Sequence, residues 1–225
     1  MGFDYIFRIL SYPVSYILYL WSCSPNGISL LSILFTLCAG VCVVLISPVY
    51  GILLFIIGYV LDFCDGNLAR VLELSTSRSK KSKNLGAILE NLNTNISNVT
   101  FAVSLGFYFL LENDSVIAVA IGVLFSFIVI LYRYTKLHIQ NQYNKSIETQ
   151  KHTIFFQESY IKYFFSKALF NLSSYYPIVL LVFLVLPASA ETVFVLYLTL
   201  GTFYTFCRFS FLFWQNFRSE HIIKS

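Results

Sequence analysis

Long apolar blocks, separated by short polar or proline-marked breaks, run through most of this chain. Ahead of the first block, Phe3, Ile6, Phe7, Leu10, Val14, Ile17 and Trp21 recur at three- and four-residue steps, with Asp4, Arg8, Ser11 and Ser15 between them. That is the pattern of an amphipathic helix. It has neither a basic leader nor a small-residue cleavage site, and Pro13 interrupts it, so residues 1–22 read as a helix lying on a membrane surface rather than a signal peptide. Ser24-Pro25-Asn26-Gly27 breaks the chain, and Ile28 to Ile46 then supplies 19 largely apolar residues. At 1.5 Å per residue this stretch is about 28 Å long, the thickness of a bilayer core. Further spans are expected at Val49–Ala69, Gly86–Leu111, Ser115–Tyr132, within 163 to 186 where Pro177 should introduce a kink, and at Thr192–Trp214.

The expected fold is therefore an all-α integral membrane protein. An N-terminal interfacial amphipathic helix precedes six transmembrane helices over residues 28–214, in a single domain covering 1–225. Composition agrees, since 57% of the residues are hydrophobic and only 12% charged, which excludes an ordinary soluble domain. The five cysteines show no C-x-x-C spacing and lie mostly in apolar runs, so neither a disulfide framework nor zinc is indicated. Cys64 reads as a small buried hydrophobe. His138 and His152 have no partner at metal-ligand spacing and read as solvated surface, and no nucleic-acid partner is expected.

Charge enters through its placement. All 15 Lys and Arg fall before the first span, in residues 70–83, in 133–167 or after 207, while the turns at 47–48, 112–114 and 187–191 contain none. By the positive-inside rule both termini are cytoplasmic. A bacterial cytoplasmic membrane is favoured over the endoplasmic reticulum. Residues 71–85, with Arg78, Lys80, Lys81 and Lys83 among serines, read as a polar cytoplasmic loop, and the segment from Arg133 to about Lys162 as a partly helical cytoplasmic extension.

The candidate chemistry sits where the second span ends, at Gly58-Tyr-Val-Leu-Asp62-Phe-Cys-Asp65-Gly66-Asn-Leu-Ala69-Arg70. Charge inside an apolar run costs several kcal/mol unless something compensates it. The three-residue step places Asp62 and Asp65 on one helix face, where their oxygens suit a hard cation such as Mg²⁺ or Mn²⁺, with Ca²⁺ a further option. Gly66 and Ala69 leave room for a phosphorylated ligand to approach the backbone, and Arg70 can clamp a phosphate with its planar fork. On the third span Glu90, Thr94 and Ser97 or Asn98 form a polar stripe, with Asn91 and Asn95 beside it. Such a stripe faces protein or water rather than lipid.

These residues resemble the signature of the CDP-alcohol phosphotransferases, D-x-x-D-G-x-x-A-R, a spacer, and G-x-x-x-D-x-x-x-D. The first half is matched at every defined position. In the second half Gly86 is present, Glu90 stands for the third Asp and Thr94 for the fourth, and the spacer of 15 residues, 71 to 85, exceeds the family's eight or so. Pro25-Asn26-Gly27-Ile28-Ser29-Leu30-Leu31-Ser32 is similar to the start of the family's first membrane helix, and equally reads as a plain turn. The resemblance implies transfer of a substituted phosphate from a CDP-alcohol donor to an acceptor hydroxyl with release of CMP, in phospholipid synthesis. It implies that Asp62, Asp65 and Glu90 hold the metal. Asp62, Asp65, Glu90 and Thr94 would form the catalytic set, with Gly66, Ala69, Arg70, Gly86 and Asn26 contacting substrate. It also implies a homodimer in the lipid bilayer. Thr94 occupies the general base's position, and its hydroxyl cannot take a proton at neutral pH. Two other readings therefore stand beside the enzyme: a catalytically impaired relative that binds nucleotide or metal, and a cation-coupled transporter.

Overall fold

The computed structural model describes residues 3–75, 80–147 and 175–223, all of them in helices or the short turns between. In order these are α1 (Phe3–Leu20), α2 (Pro25–Leu45), α3 (Pro48–Ser75), α4 (Lys80–Asn113), α5 (Val116–Ile147), α6 (Tyr175–Val185), a short 3₁₀ turn at Pro187–Ser189, and α7 (Ala190–Ile223). Five of them, α2, α3, α4, α5 and α7, contain stretches long and apolar enough to cross a membrane. The protein is thus an all-α, multi-pass membrane protein with a shorter apolar helix at its N-terminus. The remaining expected span, 163 to 186, is described from Tyr175 onward as α6, with Pro177 in its first described turn; its earlier part lies outside the described residues, as does His152.

Local chemistry sets the breaks. α1 stops in a Schellman-type cap: Ser22 adopts a left-handed φ of 54°, its N–H donates to the Tyr19 carbonyl at 2.9 Å, and that of Cys23 donates to Leu18 at 3.0 Å. The Ser24 side chain then accepts from the Gly27 N–H at 3.2 Å, and Pro25 fills the first helical position. Pro25-Asn26-Gly27 is therefore the first turn of α2, and of the two readings of this stretch the helix start is the one observed. Pro48 likewise opens α3.

One expectation is corrected. Within residues 71–85, expected as a polar loop, 71–75 continue α3 to Ser75 and 80–85 open α4 from Lys80, while 76–79 lie outside the described residues. Once out of the apolar block the chain still carries strong helix formers, Leu72, Glu73 and Leu74 at the end of α3 and Lys80, Lys81 and Lys83 at the start of α4, and these sustain the two helices. In the same way α5 continues beyond the span to Ile147.

α2 packs along both α3 and α4; α4 lies on α5, α5 on α7, α6 on α3, and α1 on α3. The inward face of α2 is small and polar, with Ser29, Ser32, Thr36, Ala39 and Val43 buried, while Leu30, Leu34, Leu37, Val41 and Leu45 point outward. This inversion suits a helix whose surroundings are lipid, where close backbone approach and interhelical hydrogen bonds drive association. α4 crosses α5 backbone against backbone: a Cβ at Gly122 would stand 2.6 Å from the Ala102 carbonyl oxygen, and one at Gly106 2.9 Å from that of Ala118. Around this crossing Phe55, Phe101, Phe109, Phe125, Phe183 and Phe194 close the main core.

Candidate functional site

At the other end of the bundle a polar seam runs between α2, α3 and α4. Asp65 is buried, and Asp62, one turn earlier on α3, is half-buried. Each carboxylate is met by a neutral donor from a different helix. The Ser29 hydroxyl of α2 donates to Asp65 Oδ2. The Asn93 side chain of α4, only 1% exposed, donates from Nδ2 to Asp62 Oδ1 at 2.5 Å and also to Ser32 Oγ at 2.9 Å. Ser32 in turn donates to the Gly58 carbonyl at 2.7 Å. With the Ser32 proton committed, its oxygen accepts, and the amide of Asn93 has a single orientation. Asn93 Oδ1 is buried and has no hydrogen-bond partner among the described residues. Further into the bundle Thr36 and Ser97 hydroxyls meet at 3.4 Å and continue the seam.

Electrostatics gather the remaining charges. Glu90 lies within electrostatic reach of both Asp62 and Asp65, and Arg133, near the middle of α5, lies within electrostatic reach of Asp62. Arg70 is exposed and its Nη1 donates to Asn67 Oδ1 at 2.9 Å. A Cβ added to Gly66 would meet only the Arg70 guanidinium, at 3.9 Å, so the surface over Gly66 is open and bordered by a cation.

Asp62, Asp65, Gly66 and Arg70 thus lie in the C-terminal half of α3, with Glu90 of α4 in electrostatic reach and Asn26 one turn before Ser29 on α2. Ala69, on α3, and Gly86, near the start of α4, are half-buried. Thr94 turns back on its own helix, its hydroxyl donating to the Glu90 carbonyl at 2.8 Å. Cys64, between the aspartates in sequence, is fully buried and packs with Ile28 and Leu68. Among the described residues no three His, Cys, Asp or Glu side chains stand close enough to share a metal ion. The seam's hydrogen-bond donors were missed by the motif. Ser29, Ser32 and Thr36 recur at three- and four-residue steps through an apolar span, a signal that could have revealed them; Asn93 lies three residues after Glu90, one step short of the position the motif singles out.

Fold and site together define a helical membrane protein with a pair of carboxylates held by hydrogen bonds between three packed helices. Residues 22–201 match the sequence model described as CDP-alcohol phosphatidyltransferase, and the chain belongs to that family. The family comprises membrane phosphotransferases of phospholipid synthesis, acting on a CDP-alcohol and an acceptor and generally using divalent metal ions. No curated protein matches the chain.

Proposed function

We propose that this protein transfers a substituted phosphate from a CDP-alcohol to an acceptor hydroxyl and releases CMP, at the cytoplasmic face of a membrane. The observation that carries the reading is the pair Asp62 and Asp65, sunk in a membrane helix, each held by a donor from another helix, beside the open backbone of Gly66 and the guanidinium of Arg70. Buried carboxylates kept in fixed orientation cost stability, and a functional site is the usual reason for keeping them.

The donor set fits a hard divalent cation. A carboxylate has about four lone-pair directions, so the bonds from Ser29 and Asn93 leave both aspartates acceptor capacity. Asp62 and Asp65 would hold Mg²⁺ or Mn²⁺, with Ca²⁺ a third candidate; Glu90, not close enough in this structure to share an ion with both, would join them only after a shift of α4 toward α3, and the ion when bound would neutralise diphosphate charge and steady the leaving CMP. The protein's own part is positional. Ser29 and Asn93 fix the carboxylate planes, the missing side chain at Gly66 admits a diphosphate to the backbone, and Arg70 receives its oxygens. Thr94 orients but does not deprotonate, since its hydroxyl stays neutral and donates to the Glu90 carbonyl. General-base help is typically worth about 10² to 10⁴ in rate, so its loss slows transfer without abolishing it.

The test is CMP release from labelled CDP-diacylglycerol or a CDP-choline-type donor by the purified protein, with Mg²⁺ or Mn²⁺ and a panel of acceptors. Release that needs the ion and an acceptor supports the reading. Thr94 favours a second reading, a relative that binds nucleotide or metal without turnover; wild type that is inert beside a strongly active Thr94→Asp variant would select it.

A further inference from the structure

Asn67, between the second aspartate and Arg70, is 8% exposed and joins three groups in one directional chain. Arg70 is a donor only, so the atom of Asn67 facing its Nη1 at 2.9 Å must be the carbonyl oxygen. The amide nitrogen therefore points the other way, and it donates at 2.8 Å to Ser11 Oγ on α1. Ser11, fully buried, sends its own proton to the Arg8 carbonyl at 2.8 Å, so its oxygen accepts. No member of the chain can reverse without setting two donors or two acceptors against each other.

The same patch seats α1 on α3 by other contacts. The Ser11 carbonyl receives the Cys64 thiol of α3 at 3.5 Å as well as the Ser15 hydroxyl of its own helix at 2.6 Å, and Phe7 and Tyr59 of α3 meet edge to face with ring centroids 5.4 Å apart. Arg70 itself is exposed, and its long side chain would otherwise sample many rotamers. Held by Asn67, the guanidinium stays beside the open surface of Gly66, 3.9 Å from where a Cβ would stand. The family match begins at residue 22, after α1, so this strut is supplied by a part of the chain outside the matched region.

We propose that Asn67 is a positioning residue, and that α1, through Ser11 and Asn67, sets the guanidinium that receives the donor's diphosphate. The proposal rests on the phosphotransferase reading above. Loss of the strut leaves the aspartates and their donors in place, so it weakens donor capture and spares turnover once the donor is bound.

The experiment compares wild type, Ser11→Ala, Asn67→Ala, Arg70→Ala and the Ser11→Ala/Arg70→Ala double variant, reconstituted in lipid. It measures CMP release against CDP-diacylglycerol or CDP-choline concentration and equilibrium binding of CDP-diacylglycerol. The expected result is a donor KM raised about tenfold in Asn67→Ala and about threefold in Ser11→Ala, with kcat within about twofold of wild type. In the double variant Ser11→Ala adds nothing to Arg70→Ala, as required if Ser11 acts through the arginine. An unchanged KM in Ser11→Ala, a loss confined to kcat, or full additivity in the double variant would overturn the strut while leaving the phosphotransferase assignment intact. Should Asn67→Ala fail to fold, the Ser11 and Arg70 cycle decides alone. Wild type that neither releases CMP nor binds CDP-diacylglycerol removes the underlying assignment, and the strut's purpose with it.

Discussion

Around Phe109 the bundle closes on rings, stacked on Phe183 at 5.8 Å and tilted against Phe194 at 5.4 Å between centroids, whereas further back along the same helix, around Asn93, it closes on hydrogen bonds to Asp62 and Ser32. The ring end is a sum of many weak, non-directional contacts, and losing one of them costs in proportion to the gap it leaves. The polar end works by matched partners: each buried carboxylate has its own donor, and removing the donor leaves a buried charge uncompensated. One helix layer therefore carries a tolerant half that holds the fold and an intolerant half that holds a site.

The sharpest way to break that contrast is Asp65→Asn. The amide still accepts from Ser29, so folding persists while CMP release falls by about 10³ or more. Unchanged release would show that the polar end has no chemical role. Next comes Asn93→Ala, which strips Asp62 of its donor and should weaken Mn²⁺ binding by about 10 to 100-fold, read by calorimetry on the reconstituted protein. Equal affinity would reduce Asn93 to helix packing. Thr94→Asp should raise CMP release by about tenfold, since it places a proton acceptor at the position where the structure has a hydroxyl bonded to its own helix. The smallest effect on activity belongs to the ring end. Gly122→Leu forces α4 from α5 at the Ala102 carbonyl, and should lower the melting temperature by about 5 to 10 °C, with the donor KM unchanged. A raised KM there would mean that the two halves are mechanically coupled.

Which parts of this were legible in the sequence follows from their range. The spans and the grouping of Asp62, Asp65, Gly66 and Arg70 depend on neighbours within a few residues, and the helical step alone places them together. The extension of α3 to Ser75 and of α4 back to Lys80 was hidden because polar composition resembles a loop whether or not the hydrogen-bond ladder continues. On α4, a four-residue step from Glu90 leads to Thr94, yet the side chain that reaches Asp62 is Asn93, a rotation of one residue about the helix axis.

The amino-acid order by itself determined that the chain forms apolar helices and that two carboxylates share a face of one of them, because burial in lipid and the helical repeat act locally. Only the tertiary structure decided which neutral side chains meet those carboxylates, and that α1 is linked through Ser11 and Asn67 to Arg70. A helix's rotation about its own axis is set by the helices packed against it, and no periodicity within one segment encodes it.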